Sequence, residues 1–222
     1  MTLLHLPYTA WHLSYVVVGG CLAASVSFGR LGLTVLAFFL AMGIGAHALD
    51  ELAGRPLGTT IPSSILVAAA LASIAAACAI GITVALRFSL WILPLIAIGA
   101  FLVPAYNLEL FGGRFHSDIW FAVAWGAFPT ISGYVACEGS PQLVAFVAGG
   151  WATALSLAQR RLSTPVRRVR RDVVSVEGEL GLAGGEREPI TRELLVSAPE
   201  GALRLLTIAT VLIAAALVTV RL

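Results

Sequence analysis

Residues 61–86 read IPSSILVAAALASIAAACAIGITVAL, a run that contains no charged residue and no histidine. A bilayer core of about 30 Å is crossed by about 20 apolar residues in a helix, so this run is long enough to span a membrane. A helix is also the open-chain structure that satisfies its own backbone hydrogen bonds in lipid. The run therefore predicts a membrane helix and points to an integral membrane fold.

Runs of the same kind occur on both sides of this segment. The predicted membrane helices are Tyr8–Gly29, Leu31–Leu49, Ile61–Leu86, Phe88–Leu108, Ile119–Cys137, Gly139–Ala158 and Leu205–Val220. Pro94, Pro104 and Pro129 are expected to kink the helices that contain them. We predict a single all-α domain over residues 1–222, a polytopic bundle of about seven transmembrane helices, with a charged loop at residues 159–201.

The composition agrees with a membrane protein. Of the 222 residues, 59% are hydrophobic and 12% are charged, whereas a soluble chain is about a quarter charged. The net charge of +2 gives no sign of nucleic-acid binding. Cys21, Cys78 and Cys137 lie in apolar runs at wide spacing, which excludes a disulfide framework and a CxxC motif. The absence of Lys and Arg from Met1 to Ala10 argues against a cleavable signal peptide.

The arginines predict the orientation in the membrane. All 14 basic residues are arginine, and eleven of them fall on the side of the N-terminus and of the junctions after helices two, four and six. The other side has Arg30, Arg87 and Arg221. Because basic residues near helix ends favour the cytoplasm, we predict a plasma-membrane protein with a cytoplasmic N-terminus and an outer C-terminus.

The junction after the second helix carries a candidate cation site. Residues 45–58 read GAHALDELAGRPLG. In a helix that continues to Leu52, His47, Asp50 and Glu51 stand at positions i, i+3 and i+4 and share one face. Such a group can bind a divalent cation or carry protons. The alternative is that the two carboxylates are ordinary polar residues at a helix end.

The junction after the fourth helix brings a second polar group to the same side. Residues 106–118 read YNLELFGGRFHSD and include Glu109, Arg114, His116 and Asp118. The Arg114 guanidinium can form a bidentate pair with phosphate or carboxylate oxygens. Ser117 or Asp118 can alternatively serve only as the N-cap of the fifth helix.

The third junction is strongly basic from Arg160 to Arg171. Such a juxtamembrane run typically contacts anionic lipids, and the alternatives are that it presents arginines to a phosphorylated ligand or docks a protein partner. The acidic residues that follow, Asp172, Glu177 and Glu179, fit a solvated loop. His5 and His12 are single histidines near the first helix, and we expect them to be interfacial.

Several stretches resemble the UbiA superfamily of intramembrane prenyltransferases. The segment 15–19 (YVVVG) resembles the opening helix of that family, and residues 54–57 (GRPL) resemble the sequence that follows its first aspartate motif. Residues 105–107 (AYN) and 121–134, which end in GAFPTISGY, are similar to its fourth and fifth helices. The likeness covers nearly the whole chain, mostly in its organisation.

The resemblance implies a helical bundle with a lateral opening to lipid. In the family, aspartate motifs after helices two and six bind Mg²⁺ and through it the diphosphate of an isoprenoid donor, whose isoprenoid group is transferred to a lipid-soluble acceptor. Here His47 stands where the family has an aspartate, Asp50 remains, and Asp172, Glu177 and Glu179 lack the regular spacing of the second motif. Two C-terminal helices of the family are missing.

Carried onto this chain, the resemblance predicts three sets of residues. The catalytic set is Asp50, Glu51, Glu109 and Asp118; the substrate-binding set is Arg55, Asn107, Arg114 and His116; the set for a divalent cation, Mg²⁺ by analogy, is His47, Asp50 and Glu51. The alternatives are a non-catalytic UbiA-like protein that binds a lipid or docks a partner through residues 160–171, and a transporter. A transporter places polar groups near the bilayer midplane, whereas the ionisable residues here collect at helix ends.

Overall fold

Seven helical segments make up most of residues 5–222, the part of the chain that the computed structural model describes. They are α1 (Leu6–Cys21), α2 (Phe28–Gly54), α3 (Ser63–Arg87), α4 (Ile92–Asn107), α5 (Asp118–Glu138), α6 (Leu143–Arg171) and α7 (Arg192–Arg221). A two-stranded antiparallel hairpin, β1 (Glu179–Gly181) and β2 (Arg187–Pro189), lies between α6 and α7. The all-α bundle predicted from the sequence is confirmed.

Four of these helices are long and apolar enough to cross a membrane: α2, α3, α5 and α7. The α4 helix is apolar but shorter, with 16 residues. The structure is therefore consistent with a membrane protein. Seven crossings, the plasma membrane and the direction of the termini stay predictions.

Two of the expected boundaries were wrong. The first helix ends at Cys21, because Ser27 starts a new helix by accepting a hydrogen bond from the Arg30 amide at 3.4 Å. The stretch 159–201 is also not one loop. Its basic part continues α6 to Arg171, since arginine and leucine are good helix formers, and Thr191 caps α7 by accepting from the Leu194 amide.

Both α2 and α5 contain a π-helical stretch, at Phe39–Ala46 and Val123–Ala127. Pro129 follows the second stretch, and its missing N–H leaves the carbonyl of Trp125, four residues earlier, without its usual helical donor. Stretches of this kind are frequent at functional sites. Each of them here offers a backbone carbonyl to a histidine.

The α1 helix crosses α5 at very short distance through two glycines. A Cβ on Gly19 would collide with the Thr130 carbonyl of α5, and a Cβ on Gly133 would collide with the Val16 carbonyl of α1. Small residues allow such close helix crossings inside membranes. The α7 helix packs against α1 and α6, so it belongs to the bundle.

Contacts between helix ends distinguish the two ends of the bundle. At one end, Arg30 donates to the carbonyls of Ala136 and Cys137 (2.9 and 3.1 Å), and Arg221 donates to the Cys21 carbonyl at 2.9 Å. The other end, which we call the polar end, carries residues 47–61, 106–118 and 159–171. The three junctions predicted to share one side of the membrane thus meet at one end of the bundle.

Candidate functional site

Side chains from five helices and the α4–α5 connection meet at the polar end. We call this group the polar cluster. Its members are Tyr8, His12, His47, Asp50, Tyr106, His116, Asp118, Arg160 and Arg167. In sequence they are separated by up to about 160 positions, and the bundle brings four of them, Tyr8, His12, Tyr106 and Arg160, around the ring of Phe121.

Contacts between aromatic rings hold the cluster together. The Tyr8 ring lies 4.3 Å from His12 and 5.7 Å from His47, centroid to centroid. Tyr106 stacks on His116 at 4.6 Å. The buried Phe121 ring is 6.3 Å from Tyr8 and therefore links the two groups through its 6.1 Å contact with Tyr106. Aromatic pairs at these spacings contribute about 0.5–1.5 kcal/mol beyond their burial.

Opposite charges face each other across the cluster. The Arg160 Nε donates to Asp118 Oδ1 at 2.8 Å, and its guanidinium lies 5.2 Å from the centre of the Phe121 ring. The exposed Asp50 carboxylate interacts electrostatically with His47, His116, Arg160 and Arg167. Charges carried on α2, α5, α6 and the α4–α5 connection are thus close enough to act on one ligand.

Arg167 supplies the least compensated charge. It lies two helical turns after Arg160, on the same face of α6, and makes no hydrogen bond or ion pair within residues 5–222. Partial desolvation, together with the like charges of Arg160 and Arg171, lowers the pKa of Arg167. A guanidinium in such surroundings is stabilised by any anion that binds beside it.

Three histidines share one hydrogen-bonding arrangement. Nδ1 of His12, His47 and His116 donates to the carbonyls of Trp125 (2.7 Å), Met42 (3.0 Å) and Tyr106 (3.1 Å). Because a carbonyl only accepts, each Nδ1 carries the proton, and in the neutral ring Nε2 is left as an acceptor. The site thereby holds three imidazoles in a fixed tautomer.

An apolar cavity of about 110 Å³ lies between α2, α3, α4 and α5. Met42, Val103 and Trp125 belong to its wall. Trp125 also contacts Tyr106 at 5.7 Å and accepts the hydrogen bond from His12. The cavity and the polar cluster therefore meet at Trp125.

Among the predicted site residues, His47, Asp50, His116 and Asp118 lie in the polar cluster. Asp50 is exposed and makes no hydrogen bond within residues 5–222, so its carboxylate is free to bind a ligand. Ser117, by accepting from the Trp120 amide, is the N-cap of α5. Asp118 is therefore not needed as a cap and pairs with Arg160.

Glu51 and Arg55 are engaged in the α2–α3 connection. The Glu51 carboxylate is fully buried and accepts from the amides of Leu57 and Thr59 (3.0 and 2.7 Å) and from the Thr59 hydroxyl (2.8 Å). Arg55 donates to the carbonyls of Thr59 (3.2 Å) and Ile61 (2.6 Å). Both side chains fix the shape of this loop, and the structure places them outside the polar cluster.

The other predicted residues lie at the rim or in the helix. The buried Asn107 amide donates to the Val103 carbonyl of its own helix at 2.7 Å. Glu109 is exposed, with a carboxylate oxygen 3.9 Å from Nδ1 of His116. Arg114 is exposed and makes no hydrogen bond in the described part of the chain.

The predicted cation ligands do not come together as a set of three. Within residues 5–222, no group of three His, Cys, Asp or Glu side chains has the arrangement of a metal site. Glu51 is the ligand that is lost, because its oxygens already accept three hydrogen bonds. Binding of Mg²⁺ stays a prediction.

The sequence did not point to Tyr8 or Tyr106, nor to Arg160 and Arg167 among the other arginines of their run. The expectation that His12 is interfacial was wrong, because its side chain is fully buried between helices. The spacing of seven between Arg160 and Arg167 was a signal that both face the same way. Pro129 was a second signal, because it frees the carbonyl that His12 binds. Neither signal indicates which residue will be contacted, because the contacted residue lies on another helix.

Comparisons of the chain with protein-family models, with curated proteins and with solved structures gave no match.

Proposed function

We propose that the protein is a UbiA-like membrane prenyltransferase that binds an isoprenoid diphosphate and transfers its isoprenoid group to a lipid-soluble acceptor at the polar end. The observation that carries the proposal is the shared wall at Trp125, where the polar cluster with its two arginines adjoins an apolar cavity between α2, α3, α4 and α5. The polar end is the one that the arginine distribution predicts to be cytoplasmic.

The charge of the cluster suits a diphosphate. Arg160 and Arg167 present guanidinium groups along one face of α6, and guanidinium groups bind phosphate oxygens with strong charge-assisted hydrogen bonds. His47 and His116 add imidazoles that can donate through Nε2 when protonated. Arg160 and Arg167, together with the His47 and His116 imidazoles, replace Arg55 and Arg114 as the proposed anion-binding residues.

The cavity suits the isoprenoid chain. Its wall is built from aliphatic and aromatic side chains of four helices, among them Phe38, Met42, Ile96 and Phe128. An apolar chain that leaves lipid for such a wall loses no hydrophobic stabilisation, while the diphosphate gains its ionic partners. Binding is therefore expected to require both parts of the ligand.

Asp50 is the residue that we propose to hold Mg²⁺. Mg²⁺ is commonly bound by one or two carboxylates together with substrate phosphates and water. One free carboxylate beside the diphosphate site meets that requirement, whereas a cation held by protein groups alone does not fit the residues present. When bound, the cation would neutralise charge on the leaving diphosphate.

Two measurements on the purified protein in nanodiscs test the proposal. The first is binding of farnesyl thiodiphosphate, an analogue that does not ionise readily, with and without Mg²⁺. The second is release of diphosphate from geranylgeranyl diphosphate in the presence of a membrane lipid extract. Binding and release that both fall in Asp50→Asn support the proposal, and a protein that does neither refutes it.

The engagement of Glu51 favours a second candidate, a non-catalytic lipid-binding protein. This protein would use the same cluster to hold an isoprenoid phosphate without ionising it. Tight binding of farnesyl thiodiphosphate, combined with no diphosphate release under any condition, would identify this function.

A further inference from the structure

His12 is a buried side chain whose second ring nitrogen has no partner. Nδ1 donates to the Trp125 carbonyl at 2.7 Å, and Nε2 is inaccessible to water and makes no hydrogen bond within residues 5–222. Leaving a buried polar atom unpaired costs about 1–3 kcal/mol. Such an atom is therefore a good candidate for a group that a ligand completes.

The hydrogen bond to Trp125 determines the chemistry that Nε2 offers. The carbonyl cannot donate, so the proton resides on Nδ1, and a second proton on Nε2 would find no acceptor in this buried place. Nε2 consequently presents a lone pair, and the fixed orientation of the ring determines the direction of that lone pair. It suits a ligand that donates a proton, such as a hydroxyl group.

The position of His12 is the second observation. Its ring lies between Tyr8 at 4.3 Å and Phe121 at 5.8 Å, and Phe121 carries Arg160 on its ring. On its other side, His12 binds Trp125 of the cavity wall. His12 thus connects the polar cluster to Trp125 of the cavity wall, near which the first carbon of a bound isoprenoid diphosphate would lie.

We propose that Nε2 of His12 accepts a hydrogen bond from the hydroxyl group of the lipid-soluble acceptor and so positions its oxygen for transfer. This inference rests on the proposed function. The bond between the allylic carbon and the diphosphate oxygen breaks, and its electron pair leaves with the diphosphate. A new bond forms between that carbon and the acceptor oxygen, and the hydroxyl proton goes to the departing diphosphate.

Two substitutions at His12 test the contributions of Nδ1 and Nε2 separately. In His12→Asn, the side-chain amide reaches the position of Nδ1 and can keep the donation to Trp125 while the acceptor at Nε2 is removed. In His12→Gln, the amide oxygen reaches the position of Nε2, and the Trp125 bond is lost. A residue that only supports the helix packing would tolerate the Asn variant better than the Gln variant.

The test uses para-octylphenol and its methyl ether, para-octylanisole. The phenol can donate a hydrogen bond through its hydroxyl group, and the ether cannot. We expect wild-type protein in nanodiscs to bind the phenol about three to ten times more tightly than the ether, the usual worth of one hydrogen bond. His12→Asn should show no preference, and His12→Gln should keep part of it. Equal binding by the wild type, or an unchanged preference in His12→Asn, would overturn the inference.

Farnesyl thiodiphosphate binding by the same samples separates the two proposals. Circular dichroism and size-exclusion chromatography show whether each variant is folded, and binding of this analogue by the wild type tests the proposed function. If neither variant folds, nuclear magnetic resonance of histidine-labelled wild type decides, because the phenol and not the ether should move the Nε2 resonance of His12. Failure of the wild type to bind the analogue would refute the proposed function, whereas normal binding without the phenol preference would refute only the role of His12.

Discussion

Nε of Arg160 donates to Oδ1 of Asp118 at 2.8 Å, and this pair joins the start of α5 to α6 at the point where α6 leaves its apolar part. The pair also orients Arg160 over the Phe121 ring. Arg167 follows on the same face of α6 and forms no ion pair within residues 5–222. The arrangement leaves the charge of Arg167 available to a ligand of the polar cluster.

Removal of this charge is expected to weaken anion binding. Arg160→Gln and Arg167→Gln should each reduce the affinity for farnesyl thiodiphosphate by about 10- to 100-fold, because a hydrogen bond to a charged group is worth about 1.5–3 kcal/mol. The matched controls are Arg161→Gln and Arg168→Gln, which change exposed arginines on the next face of the same helix. An equal loss in the control pair would indicate general attraction to the basic helix and contradict a specific site.

Glu51 is expected to matter for stability rather than for ligand chemistry. In Glu51→Gln, an amide group replaces one carboxylate oxygen and faces a backbone N–H, so the free energy of unfolding should fall by about 1–3 kcal/mol. Asp50→Asn, which loses no protein hydrogen bond, should stay within about 0.5 kcal/mol and impair diphosphate release. Thermal unfolding in detergent measures the loss of stability in Glu51→Gln. A stable Glu51→Gln protein without activity would instead place Glu51 in the chemistry.

The crossing of α1 and α5 is expected to tolerate no added methyl group. Gly133→Ala would place a Cβ against the Val16 carbonyl and force the two helices apart. We expect a severe loss of folded protein, of a size typical of overpacked cores, about 1–3 kcal/mol or more. Gly150→Ala is the control, because nothing lies within 4 Å of that position. Comparable yields and melting temperatures for the two variants would show that the crossing is looser than described.

The three polar junctions are expected to face the cytoplasm together. In a protein whose cysteines are replaced by alanine, single cysteines at Thr60 and Arg114 should react with a membrane-impermeant maleimide only after cells are opened. A cysteine at Ser25, at the opposite end of the bundle, should react in intact cells. Labelling of Thr60 and Arg114 from different sides would remove the common site, and the reverse labelling of all three would invert the predicted orientation.

The sequence predicts the helices well and their partners poorly. Charge-free runs such as 61–86 mark helices because lipid and helix packing both require apolar surfaces. The same reasoning stops the sixth helix at Ala158, although α6 continues to Arg171, because hydropathy reports the boundary of lipid and not the boundary of a helix. The Ser27 cap separates α1 from α2 within an apolar stretch that hydropathy alone divides too late.

The site was predicted in part for a related reason. Asp50 and Glu51 are equivalent in sequence, yet one is exposed at the cluster and the other is enclosed by Leu57 and Thr59. The two residues differ because the α2–α3 connection folds back over Glu51 and leaves Asp50 exposed. His12 carries no motif either, since its role depends on Trp125, 113 positions away, and on a proline that frees one carbonyl. Resemblance to the UbiA family and transfer activity stay predictions.

Photocrosslinking tests most directly whether one ligand spans the cluster and the cavity. A farnesyl diphosphate analogue with a benzophenone at the end of its chain would be irradiated with the protein in nanodiscs, and the modified peptides identified by mass spectrometry. We predict labelling of cavity residues of α2, α4 and α5, such as Phe38, Ile96 and Phe128, which is lost in the Arg160→Gln, Arg167→Gln double variant and in excess farnesyl thiodiphosphate. Labelling confined to the lipid-facing surfaces of α6 and α7, insensitive to both, would contradict the account.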